Sequence, residues 1–214
     1  MRKIISGRRP SDEKDAFIFD VDVQNTSATS GAVQTLRLPI KPNPLGGGTL
    51  SFVVDWGDGS TDNVTSANAA TLVHTYAGGT QLFTVKCTGY VRGWTFAQMT
   101  SGNDDACKVT KIRQWGTSWR GTEWGAFRDC INLGEVIATD GPIFENGSNG
   151  MRIFMRGCSS LKSITAFGTW DVSMITTMQS AFSQCSQLQG NAFSTAGNLS
   201  NWDVSKVASF QNMF

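Results

Sequence analysis

Two patterns, one after the other, predict a β-sandwich followed by an α/β repeat solenoid. From Ala16 to about residue 93, apolar and polar residues alternate with a period of two, and turn residues separate the runs. From about residue 109 onward, one apolar motif recurs in a fixed register. Self-similarity at a period of 20–50 residues marks a solenoid, in which each unit buries its apolar face only against its neighbours.

The repeat is most complete from Trp170 to Leu188, WDVSMITTMQSAFSQCSQL. Val172, Ile175, Met178, Ala181, Phe182, Cys185 and Leu188 are spaced by three and four, which predicts one stripe on a short helix. Asp171 and Ser173 stand where a helix start takes a capping oxygen. Units begin near 115, 143, 170 and 202, giving steps of 28, 27 and 32. The predicted core ladders are Trp115, Trp170 and Trp202; Phe127, Met155, Phe182 and Phe214; Cys130, Cys158 and Cys185; and Leu133, Leu161 and Leu188. The last unit is incomplete, which exposes Val204, Val207, Phe210, Met213 and Phe214; the expectation is either further repeats or a covering subunit.

At 214 residues the chain suits one or two domains and can bury a core without staples. A formal charge of +1 gives no steering toward nucleic acid, and no apolar run is long enough for a membrane span. Charged residues make up only 16%, beside 23 Gly, a mix typical of extracellular β and repeat proteins. The N-terminus turns polar after Ile5, so it holds no signal-peptide core. The expected ways to the outside are a leader absent from this sequence, or assembly and lysis.

Residues 1–15 mix charges of both signs with few apolar residues and read as an extended arm that lies along another subunit. Phe17, Phe19, Val21 and Val23 form one face of a first strand, and Thr35 to Ile40 a second. The stretch 41–48, KPNPLGGG, is a turn. Strands follow at 50–56, 71–76 and 82–91, for an expected antiparallel sandwich of about seven strands over 16–93. A linker spans 94–108, and the repeats fill 109–214.

Within the first region lie Asp55, Trp56, Gly57, Asp58, Gly59 and Ser60, then His74, Thr75 and Tyr76. This WGDGS and HTY pair resembles the polycystic-kidney-disease-like (PKD-like) sandwich, an immunoglobulin-like module of surface proteins. The resemblance implies a structural role for these residues. The residues themselves agree: the two glycines permit positive φ at a tight hairpin, and Asp58 can bond its own loop amides. Asp55, Asp58 and Asp62 as a Ca²⁺ site is the alternative, although their spacing matches no standard loop.

The second motif, W-D-V-S-x-[VI]-x-x-[MF]-x-x-[AM]-F followed by C-x-x-L, resembles the BspA-like leucine-rich repeats of bacterial and mycoplasma-type surface proteins. It is strong at Trp170–Leu188 and Trp202–Phe214 and degenerate in the first two units. A PKD-like domain followed by such repeats resembles an arrangement of bacterial surface proteins and phage tail or fibre proteins, which implies attachment.

No cofactor is expected. One His, His74, leaves no His-rich metal site and no Ser-His-Asp set outside the sandwich motif, and no phosphate loop or H-E-x-x-H occurs. Three of the five Cys sit at one repeated core position and read as buried small apolar residues; a bond between Cys87 and Cys107 is the alternative pairing. Trp94, Trp119 and Trp124 fit no ladder and are the candidates for a contact surface. Asn25, Asn63, Asn146 and Asn198 match the N-glycosylation pattern.

The sequence therefore supports a non-enzymatic virion structural or attachment protein, with a bacterial cell-surface adhesin as the alternative. Expected partners are neighbouring subunits through residues 1–15, a host surface protein or glycan, and further copies in a larger assembly, with no nucleic acid and no membrane span.

Overall fold

The computed structural model describes residues 10–42, 50–67, 70–99, 104–145, 149–188 and 199–214, with side chains from residue 13. Residues 1–9 of the expected arm, most of the 41–48 turn, and Asn146 and Asn198 lie outside the described residues.

A short helix, α1 (Pro10–Asp15), leads into eleven strands. These are β1 (Phe17–Asp22), β2 (Thr35–Arg37), β3 (Ser51–Asp55), β4 (Thr61–Val64), β5 (Val73–Thr75), β6 (Leu82–Tyr90), β7 (Val109–Gln114), β8 (Arg120–Gly121), β9 (Glu135–Val136), β10 (Ile143–Phe144) and β11 (Ser163–Ile164). Seven of them form one mixed sheet in the order β11-β9-β7-β1-β6-β3-β4. From β7 to β4 its neighbours are antiparallel, whereas β7, β9 and β11 run parallel. Two small sheets, β2 with β5 and β8 with β10, flank it.

This arrangement corrects the expected sandwich followed by an α/β leucine-rich-repeat solenoid. The protein is mostly β-sheet with almost no helix, and the strands of the first two repeat units extend the sheet that begins with β1. The alternation in β1 is as read: Phe17, Phe19 and Val21 are buried, and Val23 just beyond is buried too. The first described residues are also corrected. Pro10–Asp15 is helical rather than extended, and it packs on this same chain. The Gln114 side-chain amide donates to the Glu13 and Ala16 carbonyls at 2.6 and 2.8 Å, and the Lys86 ammonium pairs with Glu13 at 3.0 Å.

The helix expected over Trp170–Leu188 is a chain of turns. Backbone handedness explains why. Gly125, Ile153, Ser180 and Asn212 all take positive φ, at 68°, 45°, 54° and 52°, and so do Asp129, Gly157 and Gln184, at 59°, 80° and 66°. Two left-handed residues four apart interrupt any right-handed helix within one turn. These positions recur at the repeat spacing, so each unit adopts the same non-helical path.

Backbone bonds then join successive units. The amides of Gly125, Phe127 and Asp129 donate to the carbonyls of Arg152, Phe154 and Arg156 at 2.9, 2.8 and 2.8 Å. Ile153, Met155 and Gly157 donate in the same register to Gln179, Ala181 and Ser183, and Ser180 and Phe182 to Gln211 and Met213. The spacing of three and four thus marks stacked turns. Apolar side chains at such positions face the interior in either geometry, which is why periodicity alone misleads.

An aromatic cluster fills the seam between the antiparallel part and the first unit. Phe17 lies 5.2 Å from Trp94 and 5.9 Å from Trp115 between ring centroids, Trp115 is 5.2 Å from Trp119, and Trp119 is 6.1 Å from Phe127. A buried ion pair closes the loop before β2. The Lys108 ammonium, fully enclosed, meets Asp105 at 2.9 Å and donates to the Ala32 and Thr35 carbonyls. The same carboxylate accepts from the Gly31 and Arg37 amides at 2.9 and 2.7 Å. With every polar atom matched, burial of the pair is tolerable.

Candidate functional site

The WGDGS and HTY residues converge at the β3–β4 hairpin. Gly57 and Gly59 have φ of 87° and 93°, and a Cβ on Gly57 would stand 2.5 Å from the Thr84 carbonyl oxygen. Trp56 is fully buried; His74 stacks on it at 4.9 Å and meets Tyr76 edge-on at 4.5 Å. The Tyr76 hydroxyl donates to the Trp56 carbonyl at 3.1 Å.

Each acid here has a local partner. Asp55 accepts from the Gly57 amide at 3.0 Å, and Asp62 from the Trp56 indole at 2.9 Å. Asp58 accepts from the Ser60 amide and hydroxyl at 2.9 and 2.6 Å and from His74 Nε2 at 2.7 Å. Burial works to raise the Asp58 carboxyl, but the Ser60 hydroxyl, His74 and the Ser60 amide outweigh it and hold the group at about 2, below the ordinary 3.8.

Ser60 Oγ lies 3.4 Å from His74 Nε2, the nitrogen that also contacts Asp58. A general-base relay needs nucleophile and carboxylate on opposite ring nitrogens. The cluster therefore ties a hairpin to β5 and does not form a relay. Among the described residues, no group of three or more His, Cys, Asp or Glu is placed to hold a metal ion.

The repeat-core residues Trp115, Phe127, Cys130, Leu133, Met155, Cys158, Leu161, Trp170, Phe182, Cys185 and Trp202 are buried, Leu188 is half-buried, and Phe214 is exposed. All five cysteines are free, Cys87 and Cys107 included, which corrects the alternative pairing. The Cys158 thiol donates to the Phe127 carbonyl and the Cys185 thiol to the Met155 carbonyl, each at 3.1 Å. Burial pushes the Cys130 and Cys158 thiols up, while for Cys185 the bond with Cys158 acts first and burial second.

Trp94 and Trp119 do not form a contact surface. They are 1% and 0% exposed in the seam cluster, because the first repeat unit packs on the antiparallel strands rather than following a linker. Trp124 is half-buried, with the Arg152 guanidinium 5.3 Å over its ring.

Two concave features stand out among the described residues. The first, of about 300 Å³, is lined by Ser27, Thr29, Phe96, Asp104, Arg128 and Asp129, among others. Burial, with the nearby Asp129 and Asp105 carboxylates, raises Asp104 to about 6 against the bond it accepts from the Ala106 amide. The second, of about 270 Å³, lies at the end of the repeat stack between Phe182, Cys185, Leu188 and Phe214. There Val204, Phe210 and Phe214 are 38%, 46% and 59% exposed, whereas Val172, Met178 and Phe182, one unit earlier in the same register, are at most 1% exposed. Sequence reasoning found this face through the repeat spacing. It missed the buried pairs Lys108–Asp105 and Lys41–Glu123, since isolated charges in loops carry no periodic signal.

No helix of the described residues is long and apolar enough to cross a membrane. A family model described as "Mycoplasma protein of unknown function, DUF285" matches residues 149–214. Neither a curated protein nor a solved structure matches the chain.

Proposed function

We infer that the chain is a non-enzymatic structural and attachment protein of a virion surface, presenting its repeat stack to a host or partner molecule. The observation that carries this reading is the ladder of backbone bonds between units, in which the amides of Gly125, Phe127 and Asp129 donate to the carbonyls of Arg152, Phe154 and Arg156, and those of Ile153, Met155 and Gly157 to Gln179, Ala181 and Ser183. Units joined in this way present one continuous repeated surface, the form in which repeat stacks bind partners. The acids and the histidine of the hairpin motif are absorbed in holding the fold, which supports a non-catalytic role. In this reading the residues ahead of α1 contact neighbouring subunits in an assembly of several copies.

A second reading, a bacterial cell-surface adhesin, is favoured by the family match over residues 149–214, which is compatible with a surface protein. Antibody labelling separates the two: signal on purified particles supports the first, and signal on intact bacterial envelopes alone supports the second. The shared premise has its own test: the purified chain is expected to bind particle subunits or host cells in a pull-down, and binding to neither would remove attachment from the account.

A further inference from the structure

A cluster beside β8 and β10 brings Tyr90, Arg92, Arg120 and Glu145 together. The backbone places them. Val91 follows β6, and its amide donates to the Ser118 carbonyl at 2.9 Å, while the Arg120 amide returns to the Val91 carbonyl at 3.0 Å. The Glu145 amide donates to the Gly121 carbonyl at 3.3 Å, which carries the residue after β10 alongside β8. Four side chains from three neighbouring segments therefore meet on one rigid edge.

Their charges do not balance. Glu145 spends one carboxylate oxygen on the Tyr90 hydroxyl at 2.9 Å and the other on the Arg92 guanidinium. Arg120 has no carboxylate at ion-pair distance among the described residues, and its buried Nε–H has no acceptor there. One guanidinium charge on this edge is therefore uncompensated within the described residues, and an incoming carboxylate would offset it. Both guanidinium carbons stand close to the Tyr90 ring centroid, Arg92 at 5.6 Å and Arg120 at 5.3 Å, and Tyr90 as a whole is 40% exposed. Arg92 is only 8% exposed and held by Glu145, so much of the ordering cost is met before a ligand arrives.

We propose that Arg120, with Tyr90 and the Glu145-held Arg92, forms a subsite for the carboxylate of an acidic sugar such as a uronic acid. The guanidinium fork matches a planar carboxylate and takes it bidentately. The half-exposed Tyr90 side chain beside it offers contact area to the sugar ring that carries the carboxylate. Neutral sugars would leave the Arg120 charge uncompensated, and a free inorganic anion would leave the Tyr90 surface unused.

The test uses the whole chain with trigalacturonate as probe, maltotriose as the neutral control and sodium sulfate as the anion control, followed by calorimetry and by amide chemical shifts. Trigalacturonate is expected to bind at least tenfold more tightly than either control and to shift the amides of residues 90–92, 120–121 and 143–145. Arg120→Gln is expected to lower that affinity at least tenfold with no change in unfolding midpoint, and Tyr90→Leu to lower it severalfold. Tyr90→Phe, which keeps the ring, controls for a variant that fails to fold and retains most of the binding. Equal affinity for maltotriose, sulfate binding as tight as the trisaccharide, or an Arg120→Gln variant that binds like the parent would each overturn the assignment. None of these outcomes bears on the ladder between repeat units, so the two readings fail separately.

Discussion

Two carboxyls give the protein opposite responses to acid. Asp58 is held at about 2, so the stability it supplies is complete above its ordinary value of 3.8 and is lost as pH falls from there through about 2. Asp104 is raised to about 6, so it favours folding in its protonated form, and that contribution is lost as pH rises from 3.8 through about 6. Together they place their joint optimum near pH 4. Urea titrations should find Asp58→Asn less stable than the parent by about 1.5–3 kcal/mol at pH 6, the value of a hydrogen bond to a charged group, with the gap closing toward pH 2. Asp104→Asn keeps a capping oxygen and is expected to gain on the parent above pH 6. At Gly57 an added Cβ meets the Thr84 carbonyl oxygen at 2.5 Å with φ at 87°, so Gly57→Ala is expected to cost at least about 1–3 kcal/mol in the same assay.

At the scale of the element, the repeat unit depends on left-handed residues more than on its apolar stripe. Ser180 has φ of 54°, and its amide donates to the Gln211 carbonyl at 2.9 Å. Proline fixes φ near −65° and removes that donor, so Ser180→Pro is expected to cost about 3 kcal/mol or more, read as loss of amide protection in Phe210–Phe214 before the rest of the chain. The W-D-V-S start also works differently from a helix cap. Asp171 accepts from the Ser173 amide and Asp203 from the Ser205 amide, each at 3.0 Å, so each closes a short turn at the head of its unit. Far-UV circular dichroism should accordingly lack a helical minimum pair. A strong helical signal would contradict the turn path.

Across the whole molecule, β1 and β7 tie the antiparallel strands to the repeat stack, and the seam is filled with rings. Replacing a seam tryptophan should therefore be felt on both sides: Trp119→Ala is expected to cost about 3–5 kcal/mol, the usual loss for a buried aromatic, with amide exchange rising together in β3 and in the Cys158 unit. Exchange confined to one side would argue for independent parts. The five buried thiols add a second whole-molecule readout, since burial raises each of Cys87, Cys107, Cys130 and Cys158. They are expected to react with a disulfide reagent only at the rate of unfolding, and all five at once in denaturant.

The sequence by itself determined which residues face inward and which units are equivalent. Alternation in Phe17–Val23 and the ladders of Trp, Phe, Cys and Leu record solvent exclusion, a property each side chain carries locally. It also located the hairpin motif, because Gly57, Asp58 and Gly59 act within a few residues of one another. Only the tertiary structure decided that the units are turns and not helices, since left-handed φ at Asp129, Ile153 and Ser180 is sustained by bonds to the next unit and not by residue type. It alone decided that Trp94 and Trp119 are core, and that Tyr90, Arg92, Arg120 and Glu145 meet, because contacts such as Phe17 with Trp94 and Tyr90 with Glu145 join segments far apart in the chain, whose spacing leaves no periodic trace.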